Sequence, residues 1–240
     1  MMLKHWLFAG IGLIGLYVNV SDASLGSATQ PFYSQIRSIP KSLQTQMKQY
    51  TWHKDCPVTL EQLAYVELSY WGFDRHPHQG ALIVSKDLAQ EVVDIFQTLF
   101  QQQFLIQSMM PIEQFYGNEM ASMAANNTSA FHCRPVTDRP YEFSQHSYGR
   151  AIDINPVLNP YINIIKTIKI LPAQGEAHLN RNEAVPGKII EGDMAYQAFI
   201  TQNWDWGGYW YDVKDYQHFE KRANGEKRNI YGYDDFLYKK

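Results

Sequence analysis

The chain has 240 residues, 45% of them hydrophobic and 19% charged, which is enough for one domain with a sizeable core. Net charge is −3 and no basic block stands out, so the composition excludes a nucleic-acid binder of the electrostatic kind. Aromatic residues make up 14%, including 16 Tyr and 6 Trp, a level that suits either a pocketed enzyme or a Tyr-rich core and surface.

In chain order, the first element is a targeting segment. Lys4 and His5 form a short basic region, Trp6 to Val20 is apolar, and Ser21-Asp22-Ala23 offers small residues to a signal peptidase. The apolar run falls short of the ~20 residues of a comfortable membrane span. Residues 1–23 therefore read as a cleaved secretory signal, with an uncleaved anchor as the competing reading. Residues 24–50 are polar, rich in Ser and Gln, and read as a linker and lead-in to a domain over residues 51–240.

Thr59-Leu60-Glu61-Gln62 has the form of a capping box and predicts a helix from Leu60 to about Tyr70, ended by Trp71-Gly72-Phe73. Gly80 to Val84 reads as a buried strand, after which Ser85 caps a second helix. That helix carries Leu88, Val92, Phe96, Leu99 and Phe100 as an apolar stripe destined for the core. Phe104 to Met109 reads as a strand, residues 117–127 as loop, and Thr128 to Val136 as a strand. Asn126 and Asn127 head glycosylation-type sequons, which matter only in a eukaryotic secretory pathway. Ala151 to Ile154 has strand character, residues 157–192 form a long punctuated excursion, Asp193 caps a helix to about Asn203, and Tyr216 to Glu220 returns as a strand. Strands and helices mix without a βαβ rhythm, which predicts an α+β fold with an antiparallel sheet and flanking helices.

Cys56 and Cys133 are the only cysteines. In an exported chain an even count favours one disulfide over two buried thiols. Closing so long a loop contributes ~4 kcal/mol on the chain-entropy account. Neither cysteine lies in a CxxC, so redox catalysis and a Cys-rich zinc site are both disfavoured.

The chemistry concentrates in two stretches. Ser144-Gln145-His146-Ser147-Tyr148-Gly149-Arg150-Ala151-Ile152-Asp153 sets a histidine and an aspartate seven residues apart across a glycine that permits a turn. Asp215-Tyr216-Gln217-His218 adds a second histidine with a carboxylate three residues before it. Two imidazoles and one carboxylate make a three-ligand zinc site that leaves a fourth position for water, and the spare Asp215 can act on that water as general base. Each residue alone has a plainer reading: surface polarity for a lone His, a turn former for Asp153, a surface carboxylate for Asp215. A serine hydrolase is disfavoured, because neither Ser144 nor Ser147 sits in a G-x-S-x-G elbow.

The order and spacing resemble the D-alanyl-D-alanine carboxypeptidase / L-alanyl-D-glutamate endopeptidase family of zinc peptidases, whose fold is shared with the hedgehog signalling domain. The family pattern S-x-H-x-x-G-x-A-x-D, followed by (D/E)-x-x-H, is matched by Ser144, His146, Gly149, Ala151, Asp153, Asp215 and His218. The segments NNTSAFHCR (126–134), YGRAIDINP (148–156), NP (159–160) and WDWGGYW (204–210) look like a bacterial exported subgroup. The resemblance covers roughly residues 40–225.

The resemblance implies a zinc site on the sheet, with one Zn²⁺ held by His146, Asp153 and His218, and Asp215 as catalytic base. It makes Arg134 the residue that contacts substrate and stabilises the oxyanion, against a structural ion pair as the plainer role. Ser144 could orient the site or cap a turn, and Trp206 could wall a substrate groove or pack in the core. One departure is His132, where the subgroup leads one to expect Asn; it is not taken as a ligand, and Glu220 is read as structural. The activity implied is hydrolysis of peptidoglycan stem peptides by a monomer in the periplasm or outside the cell, with no nucleic-acid partner and no stable membrane association once the signal is removed. The alternative is a non-catalytic hedgehog-like zinc domain that binds cell-wall peptide or a protein partner, a reading that the retained Asp215 disfavours. The bond cleaved is not written in these motifs.

Overall fold

A short strand, β1 (Ser34–Arg37), and a helix, α1 (Lys41–Tyr50), open the fold. The computed structural model describes residues 31–137, 139–163 and 169–231, so the expected signal segment lies outside the described residues. Both elements fall inside the stretch expected as a polar linker. The reason is that neither depends on a strong apolar pattern. β1 is held through backbone pairing with the next strand, and α1 docks through Leu43 and Met47, one turn apart.

Thr59 to Gln62 does form its capping box, with the Thr59 amide donating to Gln62 Oε1 at 2.8 Å, but it closes a single 3-10 turn over Leu60–Gln62. The predicted helix to Tyr70 is instead β2 (Leu63–Trp71), paired along its length with β3 (Pro77–Ser85). Ala64, Val66, Leu68 and Tyr70 enter the main core, while Leu63 packs on the opposite face with Ile83, Phe131 and Cys133. A ribbon buried on both faces loses the clean polar alternation that marks a strand, and the cap signal filled the gap.

Helix α2 (Ala89–Gln101) follows as expected, and its stripe of Leu88, Val92, Phe96, Leu99 and Phe100 is buried. Ser85 does not cap it; its hydroxyl donates to Asp87 Oδ1 at 2.5 Å. β4 (Ser108–Met109) occupies only the end of the strand expected from Phe104. α3 (Glu119–Ala124) lies in the stretch expected as loop, started by Asn118, whose side chain accepts from the Ala121 amide at 3.0 Å. β5 (Asn127–Thr128) pairs parallel with β4, and β6 (Pro135–Val136) pairs with β7 (Arg139–Phe143). The expected Thr128–Val136 strand is thus two short pieces with extended chain between them.

β8 (Ala151–Asp153) follows the turn that ends at Gly149. The excursion contributes β9 (Tyr161–Asn163) and β10 (Lys169–Leu171). α4 (Met194–Ile200) is capped by Asp193, whose carboxylate accepts from the Tyr196 amide at 2.7 Å. β11 (Asp205–Trp206), β12 (Lys214–Asp215) and β13 (His218–Glu220) close the described chain. The sheets run β1-β2-β3, β10-β9-β12 and β11-β13-β8, all antiparallel. This is the expected α+β class with antiparallel pairing.

The β11-β13-β8 sheet divides its faces by the period of two that strands impose. Ile152 and Phe219 go into the main core, where Phe219 stacks on Phe199 of α4 with ring centroids 4.0 Å apart. Asp153, His218 and Glu220 take the other face, and the core behind them holds that face rigid. The described residues contain no helix long and apolar enough to cross a membrane.

Candidate metal centre

Register brings the first two residues together. His218 on β13 is the direct antiparallel partner of Asp153 on β8, so both side chains rise from the same spot on the sheet. His146 arrives from the turn before β8. Ser144 starts that turn by accepting from the His146 amide at 3.3 Å, and Gly149 ends it with φ +67°. The turn lies so tightly on the β3 end that a Cβ on Gly149 would stand 2.6 Å from the Ser85 nitrogen.

The ligand atoms converge closely. His146 Nε2 lies 3.1 Å from His218 Nδ1 and 3.2 Å from Asp153 Oδ2, and His218 Nδ1 lies 3.0 Å from Asp153 Oδ1. A tetrahedral metal bound at 2.0–2.1 Å requires its ligands to stand about 3.3 Å apart, close to the spacing found. The far side of each ring fixes which atoms face inward. His146 Nδ1 lies 2.5 Å from the Ala130 carbonyl, which can only accept, so Nδ1 carries the proton and Nε2 a lone pair. His218 stands between two carboxylates, with Nε2 3.1 Å from Glu220 Oε2 and Nδ1 3.0 Å from Asp153 Oδ1, so a neutral ring that gives Nδ1 to a metal carries its proton on Nε2, facing Glu220. Two lone pairs and a carboxylate, all buried, face one point, and that donor set fits a divalent cation of the zinc type.

The electrostatics show the same demand. Burial alone would lower His218, yet hydrogen bonds to Asp153 and Glu220 and the nearby Asp215 push it up to about 10. Burial alone would raise Asp153, but His146 and His218 hold its carboxyl far below the usual carboxylate range. The cluster therefore recruits positive charge, as a proton or as a metal ion.

Asp215 sits beside this cluster on β12, whose partner is β9 of the excursion. Its Oδ1 is closed off from solvent and makes no hydrogen bond. Burial, reinforced by Asp153 and opposed by His218, His146 and Arg134, pushes its carboxyl up to about 6. Gly207 gives Asp215 its room, since a Cβ there would fall 2.5 Å from the Asp215 carbonyl oxygen. The excursion supports the link to His218: Arg181 lies 4.4 Å over the Tyr216 ring while its guanidinium donates to Asn159 Oδ1 at 2.9 Å and to the Ile189 carbonyl at 2.6 Å.

Arg134 is fixed at both ends. Ser147, fully buried, accepts from the Arg134 amide at 2.9 Å and donates to its carbonyl at 2.7 Å. The guanidinium pairs with Glu119 at 2.5 Å, and its Nε is shielded and unpartnered. Burial would lower its pKa, but Glu119, Asp153 and Asp215 together raise it. His132 lies outside the three-ligand group; burial pushes it down to about 4, with Glu119 4.0 Å away. Cys56 and Cys133 form a disulfide with Cα atoms 5.9 Å apart, which removes their sulfurs from any metal site with His53.

For two residues the structure shows which of the alternatives the packing takes. Trp206 is 3% exposed, packs in the main core, and donates from Nε1 to the Tyr216 carbonyl at 3.0 Å. Its neighbours Gly207 and Gly208 fold against Asp215 and the indole itself, which draws the ring inward. Ser144 is buried and its hydroxyl accepts from the His146 amide at 3.3 Å, the turn-capping role of the two that the sequence left open. Sequence reasoning also passed over the contacts of Ser147 and Glu119, and it read Glu220 only as structural. The first two act across long sequence separations and left no local signal. Glu220 did leave one, because position i+2 from His218 on a strand shares its face.

Fold and site together define an α+β domain with a candidate mononuclear metal centre. A family model described as D-alanyl-D-alanine carboxypeptidase matches residues 137–221, less than half of the chain. The matched segment contains His146, Asp153, Asp215 and His218, and it leaves out Arg134 and both cysteines. No curated protein and no solved structure matches the chain.

Proposed function

We propose that this protein is an exported zinc-dependent peptidase that hydrolyses stem peptides of peptidoglycan. The observation that carries the reading is the convergence of His146 Nε2, His218 Nδ1 and the Asp153 carboxylate within 3.0–3.2 Å of one another, with their other polar atoms committed elsewhere. The family-model match to residues 137–221 points to the substrate class. The disulfide supports export, since such bonds persist in oxidising compartments.

Zinc held by His146, Asp153 and His218 would supply a Lewis acid and lower the pKa of a nearby water toward ~7. Asp215 would accept a proton from the attacking water and deliver it to the leaving amine. An unpartnered, shielded Oδ1 suits that task, because no competing hydrogen bond must break first. Arg134 offers a fixed positive charge to the developing oxyanion, and its pairing with Glu119 keeps the guanidinium from swinging away.

Digestion of defined muropeptides, with mass analysis of the products, tests the reading. Release of terminal D-alanine assigns a carboxypeptidase, and cleavage between L-alanine and D-glutamate assigns an endopeptidase. Zinc binding without cleavage of any muropeptide would refute catalysis and leave a zinc domain that binds without cutting.

A further inference from the structure

Glu220 is 2% exposed, on the same strand and the same face as His218. Burying a carboxylate costs several kcal/mol unless its oxygens are satisfied. Both are: Oε2 faces His218 Nε2 at 3.1 Å, and Oε1 accepts from Arg222 Nε at 2.8 Å. The charge is retained where an apolar side chain would pack without that cost, next to a ring that presents its other nitrogen to Asp153 and His146. Trp210 closes the site from the side, its ring 5.3 Å from that of His218.

We propose that Glu220 is a positioning residue for the metal centre, holding His218 as an Nδ1 ligand by accepting its Nε2 proton, with Arg222 anchoring the carboxylate from behind. This rests on the metal-centre reading above. Three consequences follow from the geometry. With Nδ1 given to a metal, Glu220 supplies the acceptor that the Nε2 proton needs in a buried site. It holds the ring from the side opposite Asp153, so that both nitrogens are pinned. It also lends anionic character to the ring and so strengthens Nδ1 as a donor.

The test is zinc affinity by chelator competition, with the visible spectrum of the cobalt(II)-substituted protein as a second readout. Glu220→Gln keeps the shape of the side chain and removes its charge. It should bind zinc about 10–100-fold more weakly and shift the cobalt bands. A group that merely packs would leave the cobalt spectrum unchanged. Zinc affinity within twofold of wild type, with an unaltered cobalt spectrum, overturns the proposal while leaving the metal centre intact. Failure of the wild-type protein to bind zinc overturns the metal-centre reading, and the proposal with it. If the variant does not fold, nitrogen-15 NMR of histidine in the zinc-loaded wild-type protein decides. A proton on His218 Nε2 supports the proposal, and a proton on Nδ1 overturns it.

Discussion

Removing the charge of Asp215 should stabilise the metal-free protein while it stops hydrolysis. The folded carboxyl titrates at about 6 against an ordinary value of 3.8, principally because it is buried. A folded value above the unfolded one gives a contribution that is fully present below pH ~4 and lost as pH rises through ~6. At pH 7 the protein therefore holds a charged carboxylate in a site that prefers it neutral. A displacement of about two units is worth about 3 kcal/mol at most. Solvent still reaches part of Asp215 although its Oδ1 is closed off, and an asparagine amide leaves a polar group unmatched, so a gain of about 1–2 kcal/mol is the working figure for Asp215→Asn. Urea unfolding of the chelator-treated proteins at pH 7 and pH 4.5 measures it. The gain should be present at pH 7 and shrink at pH 4.5, where wild-type Asp215 is largely neutral. The same substitution should lower kcat by about 10²–10⁴-fold with zinc still bound. A variant less stable than wild type at pH 7, or a gain of equal size at both pH values, would refute the assignment of strain to this carboxyl.

Three further outcomes follow from contacts already described. Gly149→Ala forces a side chain onto φ +67° and into the Ser85 backbone, and should cost about 2–4 kcal/mol in urea unfolding; a loss below about 1 kcal/mol would show that the turn can move away from β3. Replacing both Cys56 and Cys133 by alanine opens a link spanning 77 residues and should cost about 2–5 kcal/mol, with an unchanged midpoint counting against a stabilising role. Gly207→Ala drives a Cβ to 2.5 Å from the Asp215 carbonyl and should lower kcat while zinc stays bound; a variant with full kcat would mean that the Asp215 backbone has room to yield.

What could be read in the sequence divides along a physical line. The α2 stripe was legible because Leu88, Val92, Phe96 and Leu99 bury one face of a regular helix, and periodicity reports that directly. The disulfide was legible from the even cysteine count together with the expected export signal, with no geometry needed. The gathering of His146, Asp153 and His218 was legible because donor chemistry restricts what such a set can do. β2 was misread because both of its faces are covered, which erases the alternation, and because a genuine capping box precedes it. α1 and α3 were missed because a helix that buries two or three side chains leaves no stripe to find. Ser144 and Trp206 stayed open between two roles for a different reason: residue type says which groups can bind, but only packing says which way they face.

The site's construction explains why those two kinds of legibility differ. His146 is placed by a turn, Asp153 and His218 by one rung of an antiparallel ladder, and Asp215 by a separate sheet shared with the excursion. The ligands thus ride on backbone pairing and on the Phe219–Phe199 stack beneath it, which are rigid. Asp215, the proposed base, rides on β12, whose sheet partner β9 belongs to the 157–192 excursion, braced by Arg181 against Tyr216. Changes in the excursion can therefore move Asp215 without disturbing the metal ligands. Arg181→Lys tests that separation: it keeps the charge and loses the planar fork that grips Asn159 and Ile189 while lying on Tyr216. It should lower kcat by about tenfold with zinc affinity unchanged, because the guanidinium braces the link ahead of His218 and touches none of the three ligands. Equal losses in zinc affinity and kcat would show instead that base and ligands move as one body.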